Sequence, residues 1–221
     1  VASVTAKGTA TDKSGASLAV GAVVLATGDS ILVAVAFDST GGVVEVTWNA
    51  IQLALVVSDL SGGITSELYA LHNVTGATGD VEIVLDGGQQ ASAAAVIAVT
   101  GLTATPEDKN AIDVGSGASP SSSATAVTAF ANEVLIGFVG TEGPSGDAAG
   151  TWSGSFTADQ RAGTTGGVAD TNITISTGFR IVSAVAAYSA AKTGITSRDW
   201  VAGILTLRIP SAKTVVLGVA Q

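Results

Sequence analysis

A nucleophilic serine is the sharpest chemistry this chain could carry, at Gly28-Asp29-Ser30. Such a serine needs a histidine base that is itself oriented by a third group. The only histidine, His72, lies in Leu68-Tyr69-Ala70-Leu71-His72-Asn73, at the end of a strand pattern and outside any Asp-x-x-His block. Ser30 opens the strongest apolar strand of the chain, so Gly-Asp-Ser reads as a turn entering that strand. No Gly-x-Ser-x-Gly elbow occurs. With one histidine and no cysteine, zinc would depend on carboxylates for its remaining ligands. The densest acidic cluster, Glu107, Asp108, Asn110 and Asp113, has oxygen chemistry suited to calcium. It lacks the central glycine and terminal glutamate of a calcium loop, and reads as solvated linker. Glu45, Glu67, Glu82, Glu133 and Glu142 could serve glycoside hydrolysis only as an acid and base facing across a cleft, and nothing in the sequence pairs them. The expectation is no catalytic residue, no cofactor and no metal: not an enzyme.

A binding surface is the remaining chemistry. Trp48 and Trp152 each follow a Gly-rich turn, and aromatic rings at such places can stack on sugars. Their matching positions favour packing anchors, while Trp152, with Glu142 and the Gly-rich loop 140–150, is the candidate ligand surface for a glycan. Nine basic residues against eighteen acidic ones give a net charge of −9, with no basic stripe to neutralise phosphates, which argues against nucleic acid. No window approaches eighteen uninterrupted apolar residues, so no membrane span is expected. Val1 fits removal of an initiator methionine and cleavage of a signal or propeptide equally.

The elements that must position these residues read as β-strands: short apolar or alternating runs broken by Gly, Ser, Asn and Asp, with little helix. The middle of the chain is written twice, because residues 22–37 align without a gap on 125–140. Each copy continues to its tryptophan, and each half closes on a long apolar strand, Ala93–Val99 and Val201–Leu207. A single sandwich over 20–209 is expected, with halves 20–102 and 124–209 joined by a Ser/Gly/Pro-rich linker at 103–123. Leu32, Val35, Val96, Leu135, Phe138 and Leu205 are expected to build one shared interior. Residues 1–19 and 210–221 read as N- and C-terminal arms, with Val4, Val215, Val216, Leu217 and Val219 as the assembly residues. The C-terminal apolar run must bury somewhere, either as its own edge strand or on a neighbouring subunit by strand addition.

Ser30–Phe37, the Gly41-Gly42 turn before Trp48, Glu67–Gly76, Ala95–Leu102, Asn132–Gly143 and Thr196–Leu207 follow one order. Together they resemble the jelly-roll-like β-sandwich domains of bacteriophage virion proteins and large bacterial surface proteins. The resemblance implies an all-β, jelly-roll-like antiparallel sandwich with a structural or attachment role. The leading expectation is a capsid decoration or cement protein on a virion surface. Its partners would be copies of itself and a major capsid or other structural protein. The alternatives are a carbohydrate-binding or adhesive module at the cell surface, and an extracellular filament subunit joined by donor-strand exchange.

Overall fold

A computed structural model describes residues 1–38, 42–86 and 90–211. The first half contains β1 (Ser3–Gly15), β2 (Ser17–Leu25), β3 (Ser30–Asp38), β4 (Val43–Trp48), β5 (Ile51–Gln52), β6 (Ala54–Ser61), β7 (Ile64–Leu71), β8 (Ala77–Leu85) and β9 (Gln90–Thr100). The second contains β10 (Glu107–Gly117), β11 (Asn132–Glu142), β12 (Ala149–Trp152), β13 (Thr157–Gly163), β14 (Ile173–Ser183), β15 (Lys192–Ile195) and β16 (Arg198–Arg208). A single 3-10 turn, Ala169–Thr171, is the helical content among the described residues.

The duplication is explicit in the strand order. One five-stranded sheet runs β1-β9-β3-β7-β6 and the other β10-β16-β11-β14-β13, and all paired strands are antiparallel. In the first half a second sheet, β2-β8-β4-β5, covers the outer face, and this pairing of sheets is the jelly-roll arrangement with β6 added at an edge. The equivalence corrects the repeat by one residue. Leu32 pairs with Ile97 and Ala70, while Ile136 pairs with Leu205 and Phe179, so Leu32 matches Ile136 and not Leu135. In this register Leu32 to Trp48 and Ile136 to Trp152 are the same distance along the chain. A slip of one would turn every side chain to the opposite face.

The same equivalence reassigns the N-terminal arm and the linker. Residues 3–15 are an edge strand paired with β9 along its length, and Val4 lies opposite Val99, packed on the central core. Residues 107–117 form the corresponding strand on β16. Arm and linker are the first strand of each half, and Val4 is not free for a neighbour. β1 also ties the halves together, since Lys13 Nζ bonds Thr171 and the Gly8 amide donates to Gln160 Oε1. The expected C-terminal arm residues Val215, Val216, Leu217 and Val219 lie outside the described residues.

Among the described residues the interior divides into a central core between the halves, a core in the first half, and two smaller clusters on the far side of the second, one of them Val139, Trp200 and Ala202. Ile31, Val33, Val35 and Phe37 of β3 point to the outer sheet of the first half with Trp48 and Val96. Leu32, Ala34 and Ala36 point the other way, to Ile136, Phe138 and Leu205 of the second half. Leu135 lies beneath Phe156 and Ala190 in a smaller core on the far side. Of the six residues expected in one shared interior, Leu32, Phe138 and Leu205 occupy it, whereas Val35, Val96 and Leu135 belong to the cores of the separate halves.

The second half lacks a full outer sheet. Residues 124–129, at the start of the second copy of the repeat, form no strand. The Ser122, Thr125 and Thr128 amides donate to the carbonyls of Ala190, Tyr188 and Ala186. Their hydroxyls accept from the amides of those same three residues at 3.0, 3.1 and 3.3 Å. Each buried hydroxyl stands where a ladder carbonyl would be, which accounts for the three-residue Ser/Thr spacing. Thr125→Val leaves the Tyr188 amide without its acceptor and should cost about 1–3 kcal/mol. Faster hydrogen exchange at Tyr188, with Ser122–Ala190 unaffected, checks it.

Candidate functional site

Ser30, His72 and Glu107, far apart in sequence, meet in space. His72 Nδ1 is 2.9 Å from Ser30 Oγ, and its Nε2 is 2.9 Å from Glu107 Oε1. Sequence reasoning set His72 apart from Ser30; antiparallel pairing of β3 with β7 brings their ends together, and β10 supplies the carboxylate. The arrangement has the residue types of a nucleophilic triad, but Ser30 is 1% exposed. Nearby backbone donors are engaged too. The Gly28 amide bonds the Val74 carbonyl, the Asp29 amide bonds Ala26, and the Val74 amide bonds Asp29. An oxyanion needs free donors aimed at it, and these three are spent on the turn. Asp29 completes that turn by accepting from the Ala26 amide, so Gly28-Asp29-Ser30 is a turn entering a strand. The three side chains form a hydrogen-bonded bridge between the two halves. A cavity of about 220 Å³ beside it is lined by His72, Ala104, Thr105, Pro106 and Glu107.

The other members of the acidic cluster are dispersed along β10. Asp108 pairs with Lys109 at 2.8 Å and accepts from the Ala129 amide. Asp113 accepts from the Val114 amide. Among the described residues, no three potential metal-ligating side chains are grouped.

The two tryptophans occupy equivalent places with different outcomes. Trp48 is fully buried and its indole donates to the Val23 carbonyl. Trp152 is half-buried, because the second half has only the two-stranded β12–β15 piece where the first has four strands. Its ring stacks on Phe156 at 5.7 Å and lies over Gly137 and Gly178, which face each other across β11 and β14. A Cβ at Gly178 would fall 2.8 Å from the indole, and one at Gly137 would fall 3.2 Å from it. The seat therefore requires glycine on both strands.

Lys192 faces Trp152 across β12 and β15, with its ammonium 5.3 Å from the ring centroid. Only 4% of Lys192 is exposed, and among the described residues it has no carboxylate partner. Burial, with the nearby Arg161 charge, pushes its pKa down to about 8. Trp152, Phe156, Asp159, Gln160, Arg161 and Lys192 surround a cavity of about 330 Å³. Arg161 is oriented by the carbonyls of Ser145 and Asp147, and the Asp147 carboxylate is taken by Arg198 at 2.9 Å. Burial raises the pKa of Asp159 despite bonds from Gln160 and Thr177.

Glu142 is not in this cavity. It sits among Asp170, Asp199 and Arg198, where burial first and the two aspartates next raise its pKa. The structure separates it from Trp152 and supplies Lys192 and Arg161, which carry no local sequence signature. The cross-strand equivalence of β12–β15 is what brings Lys192 to the ring.

No protein-family model matches the chain, and no curated protein matches it. Among solved structures it is similar to the major capsid protein P2 from Bacteriophage PM2, with a TM-score of 0.27 and 11% identity over 96% of this chain and 99% of that one.

Proposed function

We propose that this chain is a non-enzymatic structural protein of a virion surface, a capsid decoration or cement protein that binds copies of itself and a major capsid protein. The observation that carries the reading is an open sheet edge. Strand β6 hydrogen-bonds within its sheet to β7 alone, and its Leu55 and Leu60 are 52% and 57% exposed. Beside it lies a groove of about 420 Å³ lined by Val43, Val44, Gln52, Leu53, Leu55 and Tyr69, with Val44 59% exposed on its rim. An unpaired strand edge with exposed apolar side chains is a template for another strand. The buried Ser30 and the engaged turn amides support the absence of hydrolytic function.

Residues 212–220 carry the apolar run Val215, Val216, Leu217 and Val219, which must bury somewhere. Sedimentation of the full chain should show concentration-dependent association that a chain ending at Pro210 loses. Identical monomeric behaviour of both chains would sink the assembly reading. Hydrolysis of an ester, glycoside or phosphate that is abolished by Ser30→Ala would sink the non-enzymatic one.

A second reading, a carbohydrate-binding module, is favoured by one specific feature: a half-buried indole beside an open cavity, in place of the sealed Trp48 of the first half.

A further inference from the structure

We propose that the cavity between Trp152 and Lys192 binds an acidic sugar, with the Lys192 ammonium meeting the sugar's carboxylate and the Trp152 ring meeting its apolar face. The inference rests on the glycan reading of this pocket and narrows it to hexuronates and sugars of the same charge.

Three observations converge. Lys192 is a nearly buried cation lining a cavity beside an aromatic ring, and among the described residues no carboxylate lies within ion-pair distance of it. An unpaired buried charge is costly, and an opposite charge entering the cavity offsets that cost. Next, the surroundings are locally cationic in a chain whose net charge is −9. Lys192, Arg161 and Arg198 gather on the cavity and its neighbouring cleft, and Asp147, the carboxylate in that cleft, is already paired with Arg198. Lastly, the cavity lies at the lower end of the usual range for small-ligand pockets, and one wall is a stacked Trp152–Phe156 pair.

The charge count points to a carboxylate and not to a phosphate. The Arg161 guanidinium already donates to the carbonyls of Ser145 and Asp147, so its fork is not open for bidentate capture of a dianion. Lys192 offers one compact charge, matched by one carboxylate. Asp159 also lines the cavity, and its oxygens provide acceptors for sugar hydroxyls. The aromatic wall distinguishes a ring-shaped ligand from a simple anion, because ring C–H faces gain from an indole and acetate has none to offer.

Calorimetric titration of the full chain tests this with a glucuronate disaccharide, the matching glucose disaccharide, acetate, and a peptide of residues 210–221. The expected result is saturable uronide binding at least tenfold tighter than glucoside or acetate. Lys192→Met should lose at least tenfold for the uronide while its melting temperature does not fall, since a buried charge is replaced by an apolar chain of similar length. Glucoside binding equal to uronide binding, retained in Lys192→Met, would overturn the acidic-sugar inference and leave the glycan reading standing. Absence of binding by either disaccharide would overturn both. Displacement of the uronide by the peptide would also overturn the inference, by assigning the pocket to a protein tail.

Discussion

Replacing Phe138 by alanine should destabilise the protein by about 3–5 kcal/mol, the upper part of what large-to-small core changes cost. The reason is what surrounds the ring. Phe138 is fully buried on β11 at the interface between the halves, and its ring lies over Gly203 on the paired strand β16. A Cβ at Gly203 would fall 2.3 Å from that ring, so the phenyl fills the space of a missing side chain. The facing sheet meets it with Ala34, Ala36, Ala93 and Ala95. These alanines alternate with Leu32, Leu68, Ile97 and Val99 in that sheet's contribution to the core, and alanine and glycine cannot swing into a vacated volume. The cavity should persist at nearly full size.

The shape of the unfolding curve should change as well. Each half has a core of its own, and the interface couples them. The native protein should unfold in urea in one transition, and Phe138→Ala should separate it into two. Phe37→Ala is the control, because Phe37 is equally buried but in the core of the first half alone. It should lower stability without freeing the second half to unfold later by itself. A loss below about 1 kcal/mol for Phe138→Ala, with one unchanged transition, would show that the halves are held by other contacts.

That interface also explains why some of the fold was legible in the sequence and some was not. The long central strands stand out because they are apolar throughout: every residue from Ser30 to Phe37 is buried. For the same reason their phase is hidden. A strand buried on both faces shows no alternation, so an ungapped match placed Leu32 on Leu135 when the pairings place it on Ile136. The edge strands β1, β10 and β13 were missed for the opposite cause. Their residues are small, hydroxylated or charged, as in Thr9-Ala10-Thr11-Asp12, and half-exposed along most of their length. Composition alone labels such segments arms and linkers. The hydroxyl ladder of Ser122, Thr125 and Thr128 did leave a trace, a three-residue spacing that neither a strand nor a helix requires.

The candidate sites divide along similar lines. Trp152 was legible as the partner of Trp48, but its exposure depends on how much of the outer sheet each half completes. Lys192 and Arg161 are brought to the indole by β12–β15 pairing and by the β13 edge, which are long-range contacts without local signature. Ser30, His72 and Glu107 are likewise joined only by pairing and by the meeting of the halves.

Glu133 should make the protein lose stability as pH rises through neutrality, by about 3 kcal/mol. Its side chain is fully buried at the start of β11, beside the Asp108 carboxylate and the Thr206 hydroxyl. Burial first, and then the Asp108 carboxylate beside it, raise its pKa from 4.5 to about 7. The sign follows from proton binding. Between about 4.5 and 7 the folded chain holds a proton that the unfolded chain has released, so stability falls as pH rises across that window. Below it both states are protonated; above it both are ionised, and the folded state bears the whole cost of a buried carboxylate. At about 1.4 kcal/mol per pKa unit, the separation gives the figure above. Asp108 works at lower pH. Burial pushes its pKa up, but bonds from Lys109 and the Ala129 amide outweigh that and hold it below the usual carboxylate range, so its contribution is lost only as acid protonates it. Lys192, with its pKa pushed down to about 8, acts above the window and in the opposite sense, since stability recovers as the unfolded chain's lysine holds its proton alone. Glu133→Gln removes the titration and keeps the shape. Melting temperatures from pH 5 to 7.5 should fall by roughly 6–12 °C in the native protein from this group, at about 2–4 °C per kcal/mol for a chain of this size. The variant should lack that fall and stand above the native protein at pH 7.5. Parallel curves for the two proteins would mean that Glu133 is ionised at no cost, and that its burial is relieved by water or by a partner chain.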